Sequence, residues 1–87
     1  MRAIVTVIGK DKTGIIAAVT GELAAMAVNV EDISQTIMRE YFVMLMMIES
    51  KKTGLLEIVK RMEALAKSIG VDIRVQHEDI FNAMHRI

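Results

Sequence analysis

The alternation of strand-like and helix-like segments places this 87-residue chain in the α+β class, as a four-stranded antiparallel sheet with both helices on one face. Three observations predict it. Short runs rich in β-branched or alternating apolar residues begin near residues 2, 29, 41 and 71. Longer segments with an apolar period of about 3.6 residues fall between the first and second runs and between the third and fourth. No proline, linker or low-complexity stretch interrupts the series. One domain over residues 1–87 is therefore expected, with 79–87 as a C-terminal extension.

Arg2 to Ile8 is β-branched and too short for a helix, so it reads as a strand that Gly9 ends. From Thr13 or Gly14 to about Met26 the pattern is helical: Ile15, Val19, Leu23 and Met26 share one face. Asn29 to Met38 reads as a second strand whose alternation slips. Val30 is out of phase with Ile33, Gln35 and Ile37, and an extra residue near Glu31-Asp32, a β-bulge, reconciles the two halves. Arg39-Glu40 is the expected hairpin turn. Tyr41 to Glu49 follows as a strand apolar on both faces, with Phe42, Met44, Met46 and Ile48 on one side and Val43, Leu45 and Met47 on the other.

Thr53 is positioned to cap the second helix, whose stripe runs through Leu55, Ile58, Val59, Met62, Leu65, Ala66 and Ile69 until Gly70 stops it. Val71 to Gln76 alternates as the fourth strand. Asp79 to Ile87 is expected to form a short helix that sets Ile80, Phe81, Met84 and Ile87 against the body. Two right-handed crossovers and one hairpin give the strand order 4-1-3-2, the ferredoxin-like βαββαβ sandwich.

This architecture sharpens what composition says. Apolar residues make up 53% of the chain, although a domain this small buries only about two-thirds of its unfolded surface. The helices cover one face of the sheet, yet the first and third strands are apolar on both. Such a face marks an interface, so a homo-oligomer, most simply a dimer, is expected. The other way to cover it is for the terminal segment to fold back over part of the sheet.

The connection Gly9-Lys10-Asp11-Lys12-Thr13-Gly14-Ile15-Ile16 carries the clearest functional signal. A glycine-bracketed polar loop between strand and helix presents the helix's first amides to a small anion such as a carboxylate. Asp11 or Thr13 can equally cap the helix. The strand, this loop, the helix and the return Val28-Asn29-Val30 together resemble the ACT domain, over about residues 2 to 76. That family comprises small ferredoxin-like modules that bind amino acids and regulate metabolic enzymes. The chain looks like the small stand-alone members, and relatives with this loop occur among regulators of glycine metabolism.

The resemblance implies ligand contacts at Asp11 and at Asn29, and an expected binding set of Asp11, Thr13, Gly14, Ile15, Asn29 and Val30. Gly9 departs from binders that carry a polar side chain there. Asp11 suits an ammonium group, leaving a carboxylate to the helix amides with Lys10 or Lys12. The topology constrains this set. The loop follows the end of the first strand and Asn29 opens a strand parallel to it, so the two lie roughly 20–25 Å apart. One chain cannot bring both to one small ligand, whereas a two-fold axis perpendicular to the sheet could.

Other functions are disfavoured. Eleven basic residues balance eleven acidic ones, so no field draws in nucleic acid or an anionic membrane. The absence of cysteine excludes disulfides, thiolate chemistry and cysteine-ligated metal. His77-Glu78-Asp79 with His85 matches no metal-site spacing, and no metal or other cofactor is expected. Tyr41 and Phe42 lack the basic and glycine pattern of RNA-binding sheets. No Ser/His/Asp or Cys/His constellation points to an enzyme. The run from Met1 to Ile8 is too short an apolar stretch for a signal peptide, so a cytoplasmic protein is expected. The reading is a non-enzymatic regulatory module that binds an amino acid or similar metabolite at a dimer interface. The alternative is a protein-interaction module that docks on a metabolic enzyme or regulator without a small ligand.

Overall fold

The computed structural model describes residues 1–10 and 12–84. Its elements are β1 (Arg2–Gly9), α1 (Lys12–Ala25), β2 (Asn29–Met38), β3 (Tyr41–Glu49), α2 (Leu55–Ile69), β4 (Asp72–His77) and α3 (Glu78–Met84). The strands form one antiparallel sheet in the order β2-β3-β1-β4, the expected ferredoxin-like arrangement.

The inner face of the sheet carries Ala3, Val5 and Val7 of β1 and Phe42, Met44, Met46 and Ile48 of β3, all buried. Against them α1 sets the four residues its periodicity singled out, Ile15, Val19, Leu23 and Met26, and α2 adds Ile58 and Met62. The phase slip in β2 is a register shift between Val30 and Asp32, so Glu31 is the extra residue. Its carboxylate accepts a hydrogen bond from Nε of Arg2 at 3.0 Å. The hairpin turns through Arg39 and Glu40, with Arg39 at a φ of 58° in the left-handed region.

Three expectations need correction. Thr53 does not cap α2: Gly54 holds the N-cap without a side-chain hydrogen bond. The Thr53 hydroxyl instead donates to the carbonyl of Met26 at 2.7 Å, tying the end of α1 to the loop before α2. Buried Ser50 closes the loop before α2, its Oγ accepting the Thr53 amide at 3.1 Å. The fourth strand begins at Asp72 rather than Val71, because Val71 donates its amide to the carbonyl of Ala66 in the stop of α2.

The third correction concerns the terminal helix, which folds back over part of the outer face as expected but seats only part of its apolar set there. α3 folds back over β1 and β4. Glu78 reaches Arg2 at 3.4 Å, and Gln76 Nε2 lies 3.3 Å from Met84 Sδ. Phe81 shares a small hollow with Ile4, Leu45 and Met47. Ile4 is consequently only 6% exposed although it points away from the main core. Ile80 and Met84 do not pack inward as expected and stay largely exposed, while Ile87 lies outside the described residues.

Candidate functional site

Gly9 closes β1 and is buried where three elements converge. A Cβ added there would lie 2.5 Å from Cδ1 of Ile15 and 2.7 Å from Cγ1 of Val71. The missing side chain is thus what lets α1 and the corner before β4 close on the end of β1. Around that corner opens a cavity of about 580 Å³ lined by Ile8, Gly9, Lys10, Gly14, Ile15, Tyr41 and residues 69–72. The Nζ of Lys10 stands 5.6 Å from the centroid of the Tyr41 ring, a cation–π contact at the cavity rim. Asp72 on the same rim pairs with Arg74 at 3.5 Å.

The expected binding residues divide between two ends of the sheet. Gly9 pairs with Phe42, which pairs with Ile37, so the β1–α1 loop stands at the hairpin end. Asn29 pairs with Glu49, which pairs with Arg2, at the far end. Gly14 and Ile15 line the cavity. The Ile15 side chain belongs to the core, which leaves its backbone for a ligand. Thr13 is exposed in the first turn of α1. Asn29 borders a different hollow, of about 430 Å³, with Ala27, Glu49, Lys51 and Lys52. Val30 is half-buried and packs against the core. Asp11 lies outside the described residues.

Sequence reasoning missed Tyr41, Ile69, Gly70, Val71 and Asp72 as neighbours of the loop. The signal was available in the topology. β4 runs antiparallel to β1, so the α2–β4 corner must stand beside the end of β1. Ile69, the last residue of the α2 stripe, is 37% exposed and lines the cavity at this corner.

Among the described residues no group of three His, Cys, Asp or Glu side chains is placed to hold a metal ion. His77 Nδ1 accepts the backbone amide of Asp79 at 3.1 Å, a local cap on α3. None of the described helices is long and apolar enough to cross a membrane.

The βαββαβ order and the β2-β3-β1-β4 sheet define a small ferredoxin-like module, and comparison with known proteins agrees with that fold. The family model described as ACT domain matches residues 2–76, and the chain belongs to this family. Within it the chain is similar to a UPF0237 protein of Methanosarcina acetivorans, at 49% identity over 99% of this chain and 96% of that protein. A solved ACT domain protein from Streptococcus pneumoniae superposes with a TM-score of 0.84 at 42% identity, covering 98% of each chain. The regulatory subunit of aspartate kinase from Thermus thermophilus gives a TM-score of 0.68 at 26% identity, over 86% of this chain and 50% of that one.

Proposed function

We propose that this protein is a non-enzymatic regulatory module of the cytoplasm that binds an amino acid or similar small metabolite at the interface of a homodimer. The observation that carries this reading is the state of β2. It is a sheet edge, and apart from half-buried Val30 its residues are exposed. Yet it presents Ile33 and Ile37 on the inner side at 43% and 61% exposure. Beyond the bulge at Glu31 and the charge of Asp32, residues 33–38 carry no charge and no proline, and such a stretch of edge is a template for another strand.

Self-pairing has one favourable register. A two-fold axis through Gln35 sets Ile33 opposite the partner subunit's Ile37, and Ile37 opposite the partner subunit's Ile33. The Gln35 side chains then meet across the axis, and Ser34 meets the partner subunit's Thr36. Moving the axis by one residue sets Ile37 against the bulge at Glu31 or Ile33 against the turn at Arg39. The favourable register also carries the partner subunit's Asn29 to the hairpin end, about 14 Å sideways from Gly9 across three strand spacings and about 10 Å further along the strands, roughly 17 Å in all. The first turn of α1 and a ligand together would fill that gap. The family of the chain, and its likeness to the regulatory subunit of a kinase, support the regulatory part of the reading.

A thermal-shift screen of the common amino acids tests the ligand. At 100 times its dissociation constant a ligand stabilises the protein by about 2.7 kcal/mol. A flat melting transition across the set at millimolar concentration would overturn the amino-acid reading. With a ligand in hand, Asp11→Ala and Asn29→Ala should each abolish binding. Mixing the two variants should restore one site per heterodimer, and no recovery in verified heterodimers would rule out a shared site. Ile33→Lys should leave a folded monomer in light scattering.

A further inference from the structure

We infer that the hollow between α3 and the outer face of the sheet is a binding site for a small apolar amine, taken as its ammonium ion. It goes beyond the shared site proposed above. It is built within one chain, on the face away from α1 and α2, and includes none of that site's residues.

The first support is the shape. By register, Ile4 of β1, Leu45 and Met47 of β3, and Asp32 and Ser34 of β2 all lie on the outer face. α3 lies over β1 and β4, so its Phe81 walls the hollow on that side, while the polar groups stand on the β2 side. Ile80 and Met84 stay outside at 55% and 63% exposure, so the helix leaves the hollow unfilled and Leu45 37% exposed beneath it. The volume is about 200 Å³. An apolar cavity of about 150 Å³ takes up benzene, so an apolar body of about five or six carbons fits.

The second support is the charge. Asp32 is the one charged residue in the lining. Its Oδ1 accepts the amide of Ile33 at 2.9 Å, which fixes the carboxylate on the edge strand. Among the described residues it makes no ion pair. Ser34, two positions along the same face, adds a hydroxyl oxygen that can accept from an ammonium N–H. Arg2, two residues before Ile4 on the same face of β1, is already held by Glu31 at 3.0 Å and Glu78 at 3.4 Å. Two carboxylates share that guanidinium, so the surroundings add negative charge rather than positive. An acid, a phosphate or a zwitterion would find no cation in the lining. An ammonium on a short apolar body meets Asp32 at one end and Leu45, Met47 and Phe81 along its length. Because Asp32 is exposed, the ion pair is worth little and the apolar body supplies most of the affinity.

Amide NMR on the full 15N-labelled chain tests this with 3-methylbutylamine, 3-methylbutan-1-ol and 3-methylbutanoate at neutral pH. The amine should shift the signals of Ile33, Ser34, Leu45 and Phe81. The alcohol should bind about three- to fivefold more weakly, the loss of one exposed ion pair, and the acid should leave the four signals in place. Asp32→Asn keeps an Oδ1 for the Ile33 amide and removes only the charge. It should lower the affinity for the amine to that for the alcohol, and Asp32→Glu should recover part of the difference. An amino acid bound at the shared site should move Gly14 and Asn29 instead, so either site can fail while the other is read. The proposal is overturned if the amine moves none of the four signals at millimolar concentration. Equal affinity for amine and alcohol, or unchanged affinity in a folded Asp32→Asn, overturns it equally.

Discussion

Strands β1 and β2 run in the same direction on either side of β3, and both carry aliphatic side chains, but their fates are opposite. Ala3, Ile4 and Val5 of β1 are each at most 6% exposed, whereas Ile33 and Ile37 of β2 are 43% and 61% exposed. β1 is paired on both edges, roofed by α1 and α2, and covered outside by α3 near Ile4. β2 is paired on one edge only, and α1 reaches its inner side near Val30. The difference teaches that aliphatic residues in a strand become core through their neighbours. The same residue type on an unroofed edge is material for an interface.

The comparison can be broken at several points. Met46 and Ile33 are directly paired, one fully buried and the other not, so they make the sharpest contrast. Met46→Ala should cost about 2–5 kcal/mol in urea unfolding, through lost burial and the cavity left behind. Gly9→Ala comes next, at about 1–3 kcal/mol, because the new methyl must displace Ile15 and the stiff β-branched Val71. A smaller shift in melting temperature than that range implies would mean that the corner before β4 yields easily.

Phe81→Ala strips the outer cover from β1 and makes it resemble β2. It should cost about 1–2 kcal/mol and speed hydrogen exchange around Ile4. The smallest effect falls on β2 itself. Ile33→Ala should change the unfolding free energy of the monomer by less than about 0.5 kcal/mol. It should nonetheless raise the dimer dissociation constant in a sedimentation series. A large loss of monomer stability would mean that β2 belongs to the core after all.

Much of this fold is legible in the sequence because its signals are local. Ile15, Val19, Leu23 and Met26 mark the buried face of α1 by spacing alone, and all four are core. The phase slip between Val30 and Ile33 locates the bulge, since a period of two cannot absorb an extra residue unnoticed. The αL stop at Gly70 follows from glycine's freedom at positive φ, here 71°. The capping of α2 was not legible. The Thr53 hydroxyl had a local role open to it, and the distant carbonyl of Met26 took it instead.

The candidate site divides along the same line. The glycine-bracketed loop and its place between strand and helix are sequence facts. From the strand order it also follows that Asn29 stands at the other end of the sheet, because register and direction fix it. Which residues the loop meets was decided only by packing. Tyr41, Ile69, Val71 and Asp72 reach it from three other elements, and the absence of a side chain at Gly9 lets that corner close. The fate of the outer face was likewise a tertiary matter. Phe81 covers Ile4 while Ile80 and Met84 of the same short helix remain outside, since a helix of two turns can seat only one side against a sheet. Periodicity determined which residues could be buried, and the contacts between distant elements decided which of them were.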